Sequence, residues 1–157
     1  MQGKRRQAVS GQQRLSVHDV DPTAYQAVLA MEKYVRASGL EPALQELIKI
    51  RVSQINGCAY CLNMHNRDAR AHGESQQRLD VVRAWHEVDG LFTEREQAAL
   101  ALTESVTRIS EAGVPDDVWA TVSAQFDDSE QVKLLMAIST INVWNRLAIS
   151  TRQQPEK

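Results

Sequence analysis

The sequence predicts an all-α fold, a single-domain helical bundle of about six to seven helices. Three observations predict it. From Asp21 onward, apolar residues recur at helical spacing between recognisable start and stop signals. No stretch carries strand alternation, and there is no internal repeat. The 157 residues are 43% hydrophobic, enough apolar content for one core in a chain too short for a second large domain. At this length, folding buries about 68–70% of the surface exposed by the unfolded chain, so the core needs no disulfide staples.

Asp21-Pro22 opens the first helix, with proline at or near its first position, and Tyr25, Val28, Leu29, Met31 and Val35 carry it to Ser38-Gly39. The second starts at Pro42. Leu44, Leu47, Ile48, Ile50 and Ile55 extend it to Asn56-Gly57, a pair suited to the left-handed backbone that ends a helix. A third runs from Cys58 to His72-Gly73 and is rich in polar residues, among them Asn63, Asn66, Arg67, Asp68 and Arg70. Ser75 caps a fourth, through Leu79, Val82 and Trp85, which Asp89-Gly90 breaks. Thr93 and Glu96 form a capping box ahead of the apolar run from Ala98 to Val106, and Gly113-Val114-Pro115 ends that fifth helix. Residues 115–126 read as a shorter helix. Asp128-Ser129 opens the last one, from Glu130 to about Ile149. It is apolar on most sides, so it runs through the middle of the bundle or is covered by another subunit.

The ends read differently. Residues 1–14 hold Lys4, Arg5, Arg6 and Arg14 with no acid among Gln, Gly and Ser, and residues 1–19 are expected to form a flexible basic tail. The helical domain then spans 20–152, and 153–157 form a flexible C-terminus. Net charge is −2, so with four cations in the tail the rest carries −6, which argues against a nucleic-acid-binding body. No run approaches the roughly 20 apolar residues of a membrane span, and the N-terminus lacks the apolar stretch of a secretory signal. A cytoplasmic protein is expected, a compartment in which a close cysteine pair points to metal or redox chemistry.

That pair is Cys58-Ala59-Tyr60-Cys61, followed by His65, inside the segment from Glu46 to Gly73. At about 100° per residue, with Cys61 at 0°, His65 falls at about 40° and Cys58 at about 60°, all on one narrow helix face. Both cysteines stand where the helix begins, and its unpaired N–H groups and dipole favour a thiolate there. His65, four residues beyond Cys61, is spaced to bond its sulfur or relay its proton. Along a straight helix Glu46 would lie roughly 18 Å before Cys58. If the chain folds back at Asn56-Gly57, position 46 instead mirrors position 67 and the carboxylate reaches the neighbourhood of His65. A nucleophile, a base and a group that positions the base then come together.

Other readings of these residues stand beside that one. Buried cysteines often serve as small hydrophobes, and Glu46 alone reads as a solvated helix residue. Cys58, Cys61, His65 and Glu46 would also make four zinc ligands, although structural zinc sites usually draw a second pair from a distant stretch. Leu62 stands where covalent haem attachment needs a histidine, and a thioredoxin-like domain needs strands around the motif. His72 faces the helix end, while His18 and His86 have no evident chemical neighbour. Trp85, Trp119 and Trp144 read as core or interface residues. Asn142, Asn145 and Arg146 are expected to hydrogen-bond within the bundle or across an interface, and Arg51 to form a surface or interhelical ion pair.

Glu46, Arg51-Val52-Ser53, Asn56-Gly57-Cys58-Ala59-Tyr60-Cys61, His65 and the helix end from Ala69 to Gly73 together resemble the carboxymuconolactone decarboxylase family, in its alkylhydroperoxidase D-like branch. The motif covers about 30 residues, and a compatible helical order extends from roughly 20 to 150. The resemblance implies an all-helical domain that assembles into trimers or hexamers. It implies a thiol-dependent peroxidase of antioxidant, peroxiredoxin-like activity, without a cofactor or metal. Cys61 matches the cysteine that attacks peroxide, Cys58 the resolving cysteine that closes the disulfide, and Glu46 and His65 the groups that activate the thiols. An external dithiol, thioredoxin-like or lipoyl-type, would re-reduce the pair. The prototype carries a histidine directly before the second cysteine, where this chain has Tyr60, so one proton carrier is missing. Two further readings are a decarboxylase-like lyase using Glu46 and His65, and a non-catalytic redox-sensing stress protein.

Overall fold

The structure is a computed structural model that describes residues 11–156. The helices are α1 (Val17–Val20), α2 (Pro22–Ala37), α3 (Pro42–Asn56), α4 (Ala59–Ala71), α5 (Gln76–Val81), α6 (Glu94–Thr107), α7 (Ile109–Ala112), α8 (Asp116–Gln125) and α9 (Asp128–Thr151), with a 3₁₀ segment at Val82–Glu87. There is no strand among the described residues, and none of their helices is long and apolar enough to cross a membrane.

Side-chain caps fix where several of the helices begin. Asp21 accepts from the Ala24 N–H with Pro22 in the first turn of α2, and both halves of the Thr93/Glu96 capping box close at the start of α6. A second capping box, Asp127 with Glu130, opens α9 one residue before the expected start. Two expected boundaries move. The fourth helix tightens to 3₁₀ geometry after Val81, with Ala84 outside helical backbone angles. The fifth ends at Thr107, where Arg108 breaks it, and the one-turn α7 fills the way to Gly113.

The expected tail needs a larger revision. Residues 1–10 lie outside the described ones, but the boundary expected between 19 and 20 falls inside α1. Ser16 caps that helix, and the Arg14 N–H donates to Thr151 O at the end of α9 (2.8 Å). At the other end, Glu156 accepts from Arg67 Nη1 (3.0 Å), which sets residues 153–156 beside α4.

The middle of the bundle is α3, buried on all sides. Leu44, Ile48 and Val52 pack with Ala99, Leu102, Leu134, Ile138 and Ile141 from α6 and α9, while Leu47 and Ile50 face a second cluster with Ala69, Leu79, Phe92 and Leu100. The apolar α9 lies against α2, α3, α4, α6 and α8, with Val132 and Ile149 left exposed. Gly57, at φ +74°, turns the chain back from α3 into α4; its N–H and that of Cys58 both donate to Ser53 O. That conformation costs an L-residue roughly 1–2 kcal/mol, which suits glycine.

A buried amide cluster holds this turn against α9. Asn56 Nδ2 donates to Asn142 Oδ1 and Asn145 Oδ1, each at 3.0 Å, and Asn145 Nδ2 donates to Ser53 Oγ at 3.1 Å. Arg146 completes the group by donating to Asn142 Oδ1 at 2.8 Å. Asn145 and Ser53 are both fully buried. Asn145→Ala is expected to lower stability by about 1–3 kcal/mol, because it strands polar atoms that cannot reach water. A urea melt reads the loss, and a midpoint equal to wild type would show that the cluster adds nothing.

Candidate active site

Gly57 places Cys58 at the N-cap of α4, where its Sγ accepts the Cys61 N–H (3.3 Å). Cys61 lies one turn on, the two Cα atoms are 5.3 Å apart, and the sulfurs are bonded as a disulfide. Both side chains are nearly closed to solvent.

The fold-back at Asn56-Gly57 produces the expected convergence. His65 Nδ1 lies 2.9 Å from Glu46 Oε2. Burial alone would push the Glu46 carboxyl up, but the His65 hydrogen bond and charge together with nearby Lys49 outweigh it and hold the carboxyl below its ordinary value. An ionised Glu46 can only accept, so Nδ1 of the ring is the donor, which leaves Nε2 as the ring nitrogen that faces away from the carboxylate. The four residues weighed as zinc ligands are thus engaged with one another, and no group of three or more His, Cys, Asp or Glu among the described residues is placed to hold a metal ion.

Behind Glu46 stands a partner that sequence reasoning did not single out. Lys49, only 3% exposed, reaches Glu46 Oε1 at 3.5 Å and Glu32 Oε1 of α2 at 2.8 Å. Arg36 adds a more exposed contact to Glu32 at 3.1 Å. Glu32 is held below the ordinary carboxyl value as well: burial pushes it up, and the hydrogen bonds and charges of Lys49 and Arg36 outweigh that push.

Cys61 and His65 open onto a pocket of about 200 Å³, whereas Cys58 does not line it. Tyr25 and Leu29 from α2, Tyr60 and Met64 from α4, and Ile141 and Trp144 from α9 make it largely apolar, with Glu32 and Arg36 among its polar groups. Trp144, read from the sequence as core or interface, belongs to this wall and packs on Tyr25 (5.3 Å between ring centres). His18, which had no evident neighbour in the sequence, lines the pocket too, edge-on to Tyr25 and 2.9 Å from Asp19. One signal pointed there: Ser16 three residues ahead of Asp19, between Val17 and Val20, is the pattern of a capped helix start.

The remaining candidates lie elsewhere. Arg51 pairs with Glu104 of α6 (2.6 Å), which also accepts from Trp85 Nε1 (3.1 Å), so its charge serves an interhelical contact. His72 is the exposed C-cap of α4, His86 is exposed beside Glu87, and Trp119 is exposed on α8.

Known proteins resemble this chain in sequence and fold. The carboxymuconolactone decarboxylase family model matches residues 22–105. The chain is 42% identical over 138 residues to the uncharacterized protein YdfG of Bacillus subtilis, covering 88% of this chain and 93% of that one. A crystal structure from Agrobacterium tumefaciens, of a protein of unknown function described as a candidate antioxidant defence protein AhpD, is 42% identical; it superposes with a TM-score of 0.90 over 93% of this chain and 99% of the other. An uncharacterized peroxidase-related protein from Ralstonia eutropha, described as an alkylhydroperoxidase AhpD core, shares the fold at TM-score 0.77 and 20% identity, over 90% of this chain and 75% of that one. With the family model spanning more than half of its length, the chain belongs to the carboxymuconolactone decarboxylase family, in its alkylhydroperoxidase D-like branch.

Proposed function

We propose that the protein is a thiol-dependent peroxidase that reduces hydroperoxides through a Cys58/Cys61 dithiol–disulfide cycle. The carrying observation is that Cys61, bonded to Cys58, opens onto the apolar pocket beside a histidine whose ring is held by a carboxylate. The similarity to a candidate antioxidant defence protein supports the reading.

In the reduced protein, His65 Nε2 takes the Cys61 proton and the thiolate attacks the distal peroxide oxygen. The O–O bond breaks, Cys61 becomes a sulfenic acid, and the alkoxide leaves as an alcohol with the proton that His65 returns. The Cys58 thiol then attacks the Cys61 sulfur, which forms the disulfide and releases water. An external dithiol, thioredoxin-like or lipoyl-type, reduces the pair and is itself oxidised. One hydroperoxide and one dithiol thus yield an alcohol, a water and a disulfide. The reading assigns the protein to the cytoplasm, where thiol pools keep such a pair cycling, and to a trimer or hexamer that covers apolar surface such as Val132 and Ile149.

Intact-mass spectrometry tests the cycle. Reduced protein given one equivalent of cumene hydroperoxide is expected to lose two hydrogens as a Cys58–Cys61 bridge, with one equivalent of alcohol formed. Survival of both thiols under excess peroxide would overturn the proposal. Turnover of a lactone substrate that persists without either cysteine would favour the lyase reading.

A further inference from the structure

The stretch 13–18, ahead of the first long helix, has no part in the chemistry above, yet Gln13, Ser16, Val17 and His18 all line the Cys61 pocket. It is latched in place. Arg14 donates twice to the end of α9, from its backbone N–H to Thr151 O (2.8 Å) and from Nη1 to Ser150 O (3.0 Å). The His18 ring meets Tyr25 at 5.1 Å and Tyr25 meets Trp144 at 5.3 Å, so the strap continues an aromatic ladder into the wall built by α2 and α9.

We propose that residues 13–18, latched by Arg14, are the substrate-selecting wall of the Cys61 pocket, holding the carbon body of an organic hydroperoxide so that it is preferred over hydrogen peroxide. The inference rests on the peroxidase reading and adds to it the part of the chain that selects. The pocket's size supports a small occupant: at about 200 Å³ it is below the roughly 300–1,000 Å³ of drug-sized sites. Its chemistry supports an apolar one. Val17 and the rings of Tyr25 and Trp144 offer a carbon body surface to bury, while hydrogen peroxide has none and gains nothing from the strap. Selection of this kind lies in the binding of the non-reacting part of the substrate, and so appears in kcat/KM ratios.

Arg14→Pro removes both latch bonds, because proline has neither an N–H nor a guanidinium. The expected result is a fall of about tenfold in kcat/KM for cumene hydroperoxide with the value for hydrogen peroxide within about twofold of wild type. Val17→Ala is expected to move the ratio in the same direction by less. A measurement that needs no turnover runs beside these: ligand-observed NMR titration of the oxidised protein with 2-phenylpropan-2-ol, the alcohol product, whose Kd is expected to rise about tenfold in Arg14→Pro. An unchanged peroxide ratio with unchanged alcohol affinity would overturn the proposal. So would equal losses toward both peroxides with a lowered melting temperature, the signature of general destabilisation. If no peroxide is consumed even by wild type while Arg14→Pro still weakens alcohol binding, the strap stands as the selecting wall and the peroxidase reading fails.

Discussion

Cys61→Ser is expected to slow hydroperoxide consumption by at least about 1,000-fold, while Cys58→Ser performs one stoichiometric reduction and then stops. The asymmetry comes from placement, since only Cys61 lines the pocket through which a peroxide reaches sulfur. A serine hydroxyl at 61 is a far weaker nucleophile than a thiolate and has no sulfenic acid to form. At 58 the substitution spares the attack. Cys58 is the N-cap of α4, accepting the Cys61 N–H, and serine is among the preferred residues for that position, so the helix start and the orientation of Cys61 persist. What is lost is the second sulfur, leaving Cys61 as a sulfenic acid. Stopped-flow peroxide consumption with dimedone trapping and mass spectrometry separates the cases: a burst of one equivalent and a Cys61 adduct in Cys58→Ser, neither in Cys61→Ser. The opposite pattern would exchange the two roles, and unchanged turnover in both variants would end the dithiol cycle as an explanation.

What the sequence revealed of this site follows contact distance along the chain. Cys58, Cys61 and His65 share one helix, so their common face follows from 100° per residue. Glu46 belongs to the adjoining helix of the same hairpin, and Asn56-Gly57 marked the turn that brings it to His65. Helix order was legible for the same reason, since caps and turn residues are local signals. Beyond that hairpin the local rules have no purchase. Tyr25 and Trp144 carry the helical spacing of core residues, and nothing in that spacing tells which apolar side chain borders a void. The strap was masked by composition: Gln, Gly and Ser around Arg14 look like a free tail, and the Ser150 carbonyl that receives its guanidinium is 136 residues away in the chain. Lys49 was hidden because α3 is buried on every side, so its burial could be read only by knowing that Glu32 of α2 faces it.

That lysine carries the largest expected effect on stability. Lys49→Met keeps most of the side-chain volume and removes the ammonium, so Glu32 and Glu46 are left in the interior without their shared partner. Breaking a buried pair in this way typically costs about 3–5 kcal/mol, equivalent in a domain of this size to a melting temperature lower by roughly 6–20 °C. Arg36 relieves Glu32 only partly, because its side chain is 73% exposed and its charge is screened by water. The pH dependence carries a definite sign. Both carboxyls are held below the ordinary value of 4.5, so the stability they contribute is complete above 4.5 and is lost as the pH falls through their lowered folded values. In Lys49→Met both carboxyls lose a group that lowers them, Glu32 keeping only the exposed Arg36 and Glu46 keeping His65, and protonation in acid relieves the charge left without Lys49. The gap between wild type and variant is therefore widest near neutral pH and narrows below 4.5. Adding Glu32→Gln to Lys49→Met is expected to recover part of the loss, since one of the two stranded charges is then absent. Thermal melts followed by circular dichroism at pH 7, 5, 4 and 3 read all three results. A gap that stays constant across the series, or a variant within about 1 kcal/mol of wild type at pH 7, would mean that water reaches Lys49 and that Glu46 orients His65 without help from the ion chain behind it.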